Sequence, residues 1–385
     1  MGRNIGRKYR LMMCGIKYLL PCLFLTACTV AETGLPEKEP DEEETSALSV
    51  SFLSLTEGTK AVYENTGADG AGNILKTIGV LVTKGSDNSR EYYSTLVEKQ
   101  IFTCSKAGGS DGGGEALTWT ADKTLNLGDT DGTVYAWAPS DAEGKLDESS
   151  IPVLSAPVIL SEQSFVYGNE WETDQIDYLY GTDAEKKAPV VNHLSPSVAL
   201  SMQHALAKIS FRVMKAEGQE VTTEDYVKKL ELTSNGAAFV VASNPSSAVM
   251  RLTDGVLTGT STTTALTLTA KTENQGQVAA WSEPVTEVAE AAESGYTVVT
   301  SPQAYGLVAP CTGKMGVKIT LGPTGALDAV KDHTYQTKEN TVAATWEQGK
   351  HYVYTMTVTD KGIEFSQVQV VGWDDSPEAV VVPVE

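Results

Sequence analysis

The chain has 385 residues, with 29 Lys and Arg against 50 Asp and Glu, for a formal charge of −21. Charged residues make up 21% and hydrophobic ones 41%, the composition of a folded globular protein. The acidic balance excludes nucleic acid as a partner and a basic patch seeking anionic lipid, since both need clustered Lys and Arg. Four histidines and five cysteines are too scattered for a metal-rich enzyme, so neither a metal nor a cofactor is expected. At roughly 150 residues per domain the length predicts two domains.

At the N-terminus Arg3, Arg7, Lys8, Arg10 and Lys17 form a positive region with no acid before residue 28. The apolar run from Tyr18 to Ala27 is too short to cross a bilayer as a mature helix. It ends in Leu25-Thr26-Ala27-Cys28, which resembles the lipobox of bacterial lipoproteins. That resemblance implies a signal peptide over 1–27, acylation of Cys28 and a lipid anchor on a membrane, with acyl chains contributing about 0.8 kcal/mol per buried methylene; the other reading is an ordinary signal peptide with a chance cysteine. Cleavage before Cys28 removes five positive charges and leaves 24 basic and 50 acidic residues, net −26. Residues 28–47, with Asp41-Glu42-Glu43-Glu44, read as an acidic tether.

Beyond the tether the pattern is alternation. Leu48, Val50 and Phe52 face one way, with Ser49 and Ser51 opposite. Ile78, Val80 and Val82 repeat the pattern, as do Ile209, Phe211 and Val213, and Tyr352, Tyr354 and Met356. Thr-rich stretches such as 260–272 suit a pleated, half-exposed surface. Asp131-Gly132, Asn235-Gly236, Asp254-Gly255 and Lys361-Gly362 punctuate the runs as turns. Short helical pieces are expected over 223–229 and 284–292, the second opening on Pro284. Many short strands with regular turns predict an all-β fold of sandwich type. No internal repeat is evident. The polar, proline-containing segment Asn192 to Pro196 marks the domain boundary, giving one sandwich over 48–195 and a second over 196–385.

Several fragments resemble active-site motifs without their context. Gly108-Gly109-Ser110-Asp111-Gly112 matches Gly-x-Ser-x-Gly, but that motif works only on a turn from a strand into a helix, and this glycine-rich stretch reads as a loop. It also lacks the Gly-Lys-Ser/Thr ending of a phosphate-cradling loop. Asp129-Thr130-Asp131-Gly132 lacks the later acidic ligand of a calcium loop and reads as a hairpin turn. His193, His204, His333 and His351 have no zinc-ligand spacing. His204 reads as a packed or capping histidine, and Asp177 as a residue bonding a backbone turn. Cys14 and Cys22 leave with the signal peptide, and Cys104 and Cys311 fall in different domains as buried thiols. No nucleophile–base–acid set emerges, and no enzymatic activity is expected.

Three stretches, in this order and spacing behind the lipobox, resemble the fimbrillin family, the subunits of type V pili. They are Tyr135-Ala136-Trp137-Ala138-Pro139; Asp177-Tyr178-Leu179-Tyr180-Gly181 with His204-Ala205-Leu206-Ala207-Lys208-Ile209-Ser210-Phe211; and Trp346-Glu347-Gln348-Gly349-Lys350-His351-Tyr352-Val353-Tyr354 with Val371-Gly372-Trp373. The resemblance implies transthyretin-like Greek-key topology and a structural, adhesion-supporting role. It implies a lipoprotein precursor at the cell outer membrane, a processing protease that removes the first strand, and a neighbour's terminal strand filling the exposed groove. The partners would be other copies of the chain or related fimbrial subunits, and the final location an extracellular fimbrium.

Onto this sequence the implied cleavage falls between Lys60 and Ala61, directly after the apolar strand from Leu48 to Leu55. The family pattern has arginine at that point; the other reading of Lys60 is a surface lysine in a turn. Cleavage there would remove Leu48, Val50 and Phe52. The candidate donor strand is 378–385, with Val380, Val382 and Val384 on one face. Seven residues of it span roughly 23 Å, and Pro383 limits pairing to one side. The alternative is a last strand folding back on its own domain. At the level of function the alternative is a lipid-anchored adhesin, tip or anchor subunit that binds a ligand without polymerising. A surface glycan hydrolase would need paired carboxylates converging in a cleft, and nothing in the sequence points to such a pair.

Overall fold

In a computed structural model of the chain, the structure describes residues 44–52, 75–85, 91–107, 116–155, 159–216, 225–234, 248–258, 265–279, 302–338, 341–372 and 380–382. All regular elements among them are strands, so the protein is an all-β sandwich fold. The helix expected over 284–292 and the Asn235-Gly236 turn lie outside these residues, as does the glycine-rich stretch 108–112.

The first sheet runs in the order Ser49–Phe52, Ser197–His204, Leu179–Thr182, Gly132–Ala138, Thr77–Lys84, Gln100–Ala107 and Ala116–Ala121. Leu48, Val50, Ile78, Val80, Val82, Phe102, Val134, Val198 and Leu200 share a core on one of its faces. Its two central strands are buried on both faces, because Leu81, Tyr135 and Trp137 point the other way into a second, larger core. Two-sided burial explains why these strands carry long apolar runs rather than clean alternation.

The second sheet orders Asn169–Thr173, Glu162–Val166, Ala265–Ala270, Tyr226–Ser234, Lys314–Gly322 and His333–Gln336. The third orders Ala304–Val308, Ala207–Lys215, Lys350–Thr359, Gly362–Gly372 and Val380–Val382. Ile209, Phe211, Tyr354 and Met356 from the third meet Leu230, Leu232, Leu268 and Ile319 from the second in the larger core. Phe211 stacks on Tyr354 at 5.4 Å, and Tyr354 meets Phe365 edge-on at 6.1 Å. A pair of this kind adds about 1 kcal/mol beyond its buried area.

The helix expected over 223–229 is corrected to the start of strand Tyr226–Ser234. The register between this strand and Lys314–Gly322 shifts between Val227 and Lys229, so Lys228 occupies a bulge. The bulge puts Val227 and Lys228 both inside, which breaks the period of two and leaves a sequence spacing that imitates a helix. The hairpin turn expected over 129–132 is also corrected. Asn126–Leu127 pairs with Ser46–Ala47, while Gly132 opens a strand of the first sheet, so residues 128–131 connect two sheets. The Lys361-Gly362 turn is as expected, with Thr359 paired to Gly362 across a two-residue loop.

The chain crosses from the first sheet to the third through His204-Ala205-Leu206-Ala207. Trp137 is fully buried beside this crossing and donates its indole N–H to the Ala142 carbonyl at 3.1 Å. A Cβ on Gly79 would lie 2.1 Å from the Trp137 ring, so only glycine admits the indole there. Gln348 fastens the crossing by donating to the Tyr180 hydroxyl at 2.8 Å and the Asp254 carbonyl at 2.9 Å.

Candidate functional site

The first described segment straddles two sheet edges. Its leading residues run antiparallel to Asn126–Leu127, pairing Ser46 with Leu127 and Ala47 with Asn126, and the Leu48 amide donates to the Leu125 carbonyl at 2.9 Å. From Ser49 onward it runs parallel to Ser197–His204, pairing Ser49 with Ser197 and Phe52 with Leu200. The Ser49 amide donates to the Pro196 carbonyl at 2.9 Å, and the two serine hydroxyls of the first pair lie 2.6 Å apart.

The alternation is as read from the sequence. Leu48 and Val50 are buried and Ser49 and Ser51 exposed, so the strand has one core face and one water face. Burying each of those two aliphatic side chains contributes about 1.5–3 kcal/mol. They enter the same core as Leu125, Leu127, Val198 and Leu200, which their loss would uncover. Phe52 is placed by its backbone pairing. Cys28, Lys60 and Ala61 lie outside the described residues.

At the other end, Val380–Val382 forms the outermost described strand of the third sheet. It is antiparallel to Gly362–Gly372, with Val380 opposite Val370 and Val382 opposite Val368. Val384 lies outside the described residues. Sequence reasoning did not see that Leu125, Leu127 and Pro196 receive the first segment, since they lie 70 to 150 residues away from it. The one sequence signal was their apolar character beside turns.

The remaining polar residues fall into structural contacts. His204 shares a 2.8 Å bond through Nδ1 with Asp177 Oδ2, both nearly sealed from water, so Asp177 binds a side chain rather than the turn expected of it. His193 lies 3.1 Å from Asp129 across the linker of residues 128–131. His351 shares a bond of 2.8 Å with the Ser210 hydroxyl. Burial and the charge of Asp254 raise the Tyr180 phenol above its ordinary value, against the bond from Gln348. Cys104 and Cys311 are half-buried and not joined in a disulfide, and burial pushes Cys311 up to about 11. Among the described residues no group of three His, Cys, Asp or Glu side chains is placed to hold a metal ion, and no helix is long and apolar enough to cross a membrane.

Fold and edges together define a β-sandwich protein whose first and last described strands are sheet-edge strands. The sequence profile of the fimbrillin-like family matches residues 59–373, and the chain belongs to that family. No curated protein matches the sequence. Among solved structures, the chain is similar to a candidate cell adhesion protein of Bacteroides uniformis, with 17% identity, a TM-score of 0.47, and coverage of 86% of this chain and 100% of that one. It is similar also to a fimbrial protein of Bacteroides vulgatus, at 14% identity and a TM-score of 0.45 over 86% of this chain and 99% of that one. A fimbrial assembly protein of Parabacteroides distasonis gives 12% identity and a TM-score of 0.42 over 89% of this chain and 100% of that one. Membership of the family makes this a protein of fimbrial type, with the cell-surface location that type implies.

Proposed function

We propose that the protein is a structural pilus subunit, exported as a lipoprotein, trimmed, and polymerised by exchange of strands to support adhesion. Acylation of Cys28 anchors the precursor in the outer membrane, the acidic residues from Cys28 up to the strand that opens at Ser46 form its tether, and a protease cuts between Lys60 and Ala61. The observation that carries this reading is the first segment. It is an edge element with one apolar face, and it holds its place through Leu48, Val50 and a single flanking ladder on each half. Such a strand can leave without unravelling the strands behind it, and the groove it vacates suits β-strand addition. The donor is a terminal strand of another copy or a related subunit, over 378–385 in this chain. Transthyretin-like topology in the sandwich completes the proposal.

The terminal strand favours a second reading. Val380–Val382 is paired within its own sheet, the arrangement of an anchored adhesin, tip or anchor subunit that donates no tail. Intact mass and N-terminal sequence of protein sheared from the cell surface separate the two. A start at Ala61 with ladders in unboiled gels is expected for the polymer. An acylated Cys28 start confined to the membrane fraction would establish the anchored form and reject trimming.

A further inference from the structure

The first segment enters its place at one end of the first sheet, where the Ser49 amide meets the Pro196 carbonyl, and runs from there past Leu200. In the proposed polymer, a strand that replaces it on the same pairing has its preceding residues at that end. The candidate donor strand opens at residue 378, six residues after strand Gly362–Gly372 closes, a reach of at most roughly 20 Å. So short a link holds the donor's folded body against the loops around Pro196.

Those loops carry apolar side chains that the subunit itself leaves in water. Leu96 is 90% exposed, Leu194 is 80% exposed, and Val190 stands out beside them. They are three of the eight large exposed apolar side chains among the described residues, and all three lie at this one end. Val190 pairs with Thr133 at the start of strand Gly132–Ala138, Leu194 precedes Pro196 by two residues, and Leu96 follows the bridge between Thr83 and Tyr92.

The loops are pinned to one another. The Gly128 amide donates to the Tyr93 hydroxyl at 2.9 Å, and the Gly128 carbonyl accepts the His193 amide at 3.0 Å. The loop bearing Leu96 and the loop bearing Leu194 are thus fastened to the same residue. The Tyr93 hydroxyl also donates to the Thr130 carbonyl at 2.8 Å. Asn192 accepts the Leu194 amide on Oδ1 at 3.0 Å and donates its own side-chain amide to Asp131 Oδ1 at 2.9 Å. Tyr93 and Val97 pack on the smaller core, which leaves Leu96 on the arch between them. Apolar side chains held outward on pinned loops gain nothing in folding, and clustered at one end they mark a contact surface. Glu185 and Lys187, paired at 2.8 Å on the neighbouring loop, supply a polar rim.

We propose that Leu96, Val190 and Leu194 form the docking surface for the body of the next subunit, a second copy of this chain, in a head-to-tail contact around the exchanged strand. The inference rests on the polymer reading and adds to it, because strand exchange alone fixes one strand whereas this contact fixes how two bodies stand.

The test compares cells producing the full-length parent with two matched variants, each placing two acids at exposed aliphatic positions. One is Leu96→Asp/Leu194→Asp; the other is Leu327→Asp/Val330→Asp, on the loop after strand Lys314–Gly322. N-terminal sequence reads trimming, ladders in unboiled gels read polymer, and melting curves read folding. The first variant is expected to start and melt like the parent while its ladders weaken about tenfold or more. The second is expected to keep parental ladders. Parental ladders in the first variant would overturn the docking surface and leave strand exchange standing, and equal loss in both variants would overturn it by assigning the effect to added charge. Independently of folding in these variants, a benzoylphenylalanine in place of Leu194 is expected to cross-link two copies in sheared fibres, and one in place of Val330 is not. Laddered fibres with no cross-link from position 194, or with a cross-link only to a different protein, would overturn the proposal. A parent that starts at Cys28 and forms no ladder would overturn the polymer reading and the docking surface with it.

Discussion

Lys228 is almost wholly buried, and its ammonium lies 2.9 Å from Asp332 Oδ1 and 2.5 Å from the Ala326 carbonyl oxygen. Asp332 in turn accepts the Asp328 amide at 2.7 Å, so one buried ion pair organises the loop that follows strand Lys314–Gly322. Burial raises the Asp332 carboxyl, but the bonds from Lys228 and the Asp328 backbone outweigh it and hold it below its ordinary value. Removing one partner leaves the other charge buried, so Lys228→Ala should cost about 3 kcal/mol or more in urea unfolding. A loss below about 1 kcal/mol would mean water reaches the pair. His351 gives a pH signature: burial, then the charges of Lys208 and Arg212, hold its imidazole well below the ordinary value. The fold keeps it neutral while the unfolded chain protonates near pH 6.5. Stability is therefore full above about pH 6.5 and falls as pH drops below it, by up to about 1.4 kcal/mol per unit. Urea midpoints at pH 7.5 and 5.5 should differ accordingly, and His351→Gln should reduce the difference; an unchanged difference in the variant would assign the effect elsewhere. The burial that raises Cys311 makes it a poor nucleophile, so a thiol reagent at pH 8 should modify it only slowly until denaturant is added. Sequence left Asp177 and His204 as two separate polar residues because 27 positions of chain part them, and only the strand pairing brings them together.

At the scale of elements, the first strand tests the burial argument most directly. Val50→Asp places a charge in the core with Leu125 and Leu200 and should cost more than about 3 kcal/mol, whereas Ser51→Asp on the water face should cost less than about 1 kcal/mol. Similar losses in both variants, read by thermal melts, would show that this strand contributes no core face. Its alternation was legible because a one-sided strand writes its two faces into its sequence, as Leu48 to Ser51 do. In Tyr226–Ser234 only the second half carries a strand pattern. There Leu230 and Leu232 alternate with Glu231 and Thr233, while the bulge at Lys228 scrambles the first half. The hairpin at Lys361-Gly362 was legible from its glycine alone, since the chemistry of a two-residue turn is local.

Across the whole molecule, the larger core runs without interruption from Leu81, Tyr135 and Trp137 to Phe211 and Ile319. Gln348 ties the two sides together at Tyr180 and Asp254. The described body should therefore melt as one cooperative unit, with calorimetric and van't Hoff enthalpies in agreement. Two resolved transitions would show that the crossing at residues 204–207 is a hinge rather than part of the core.

The parallel pairing of Ser49–Phe52 with Ser197–His204 also fixes a direction. Ser197–His204 runs toward the crossing into the third sheet, so an incoming strand that adopted the same pairing would thread toward that crossing with its free carboxyl end leading. The body of the donor would then sit beyond Pro196, at the end of the first sheet remote from the crossing. An incoming strand of opposite sense would put its parent body beside the crossing, against the acceptor's own second half. In the proposed polymer, the sense of this one four-residue strand would set the direction of end-to-end growth.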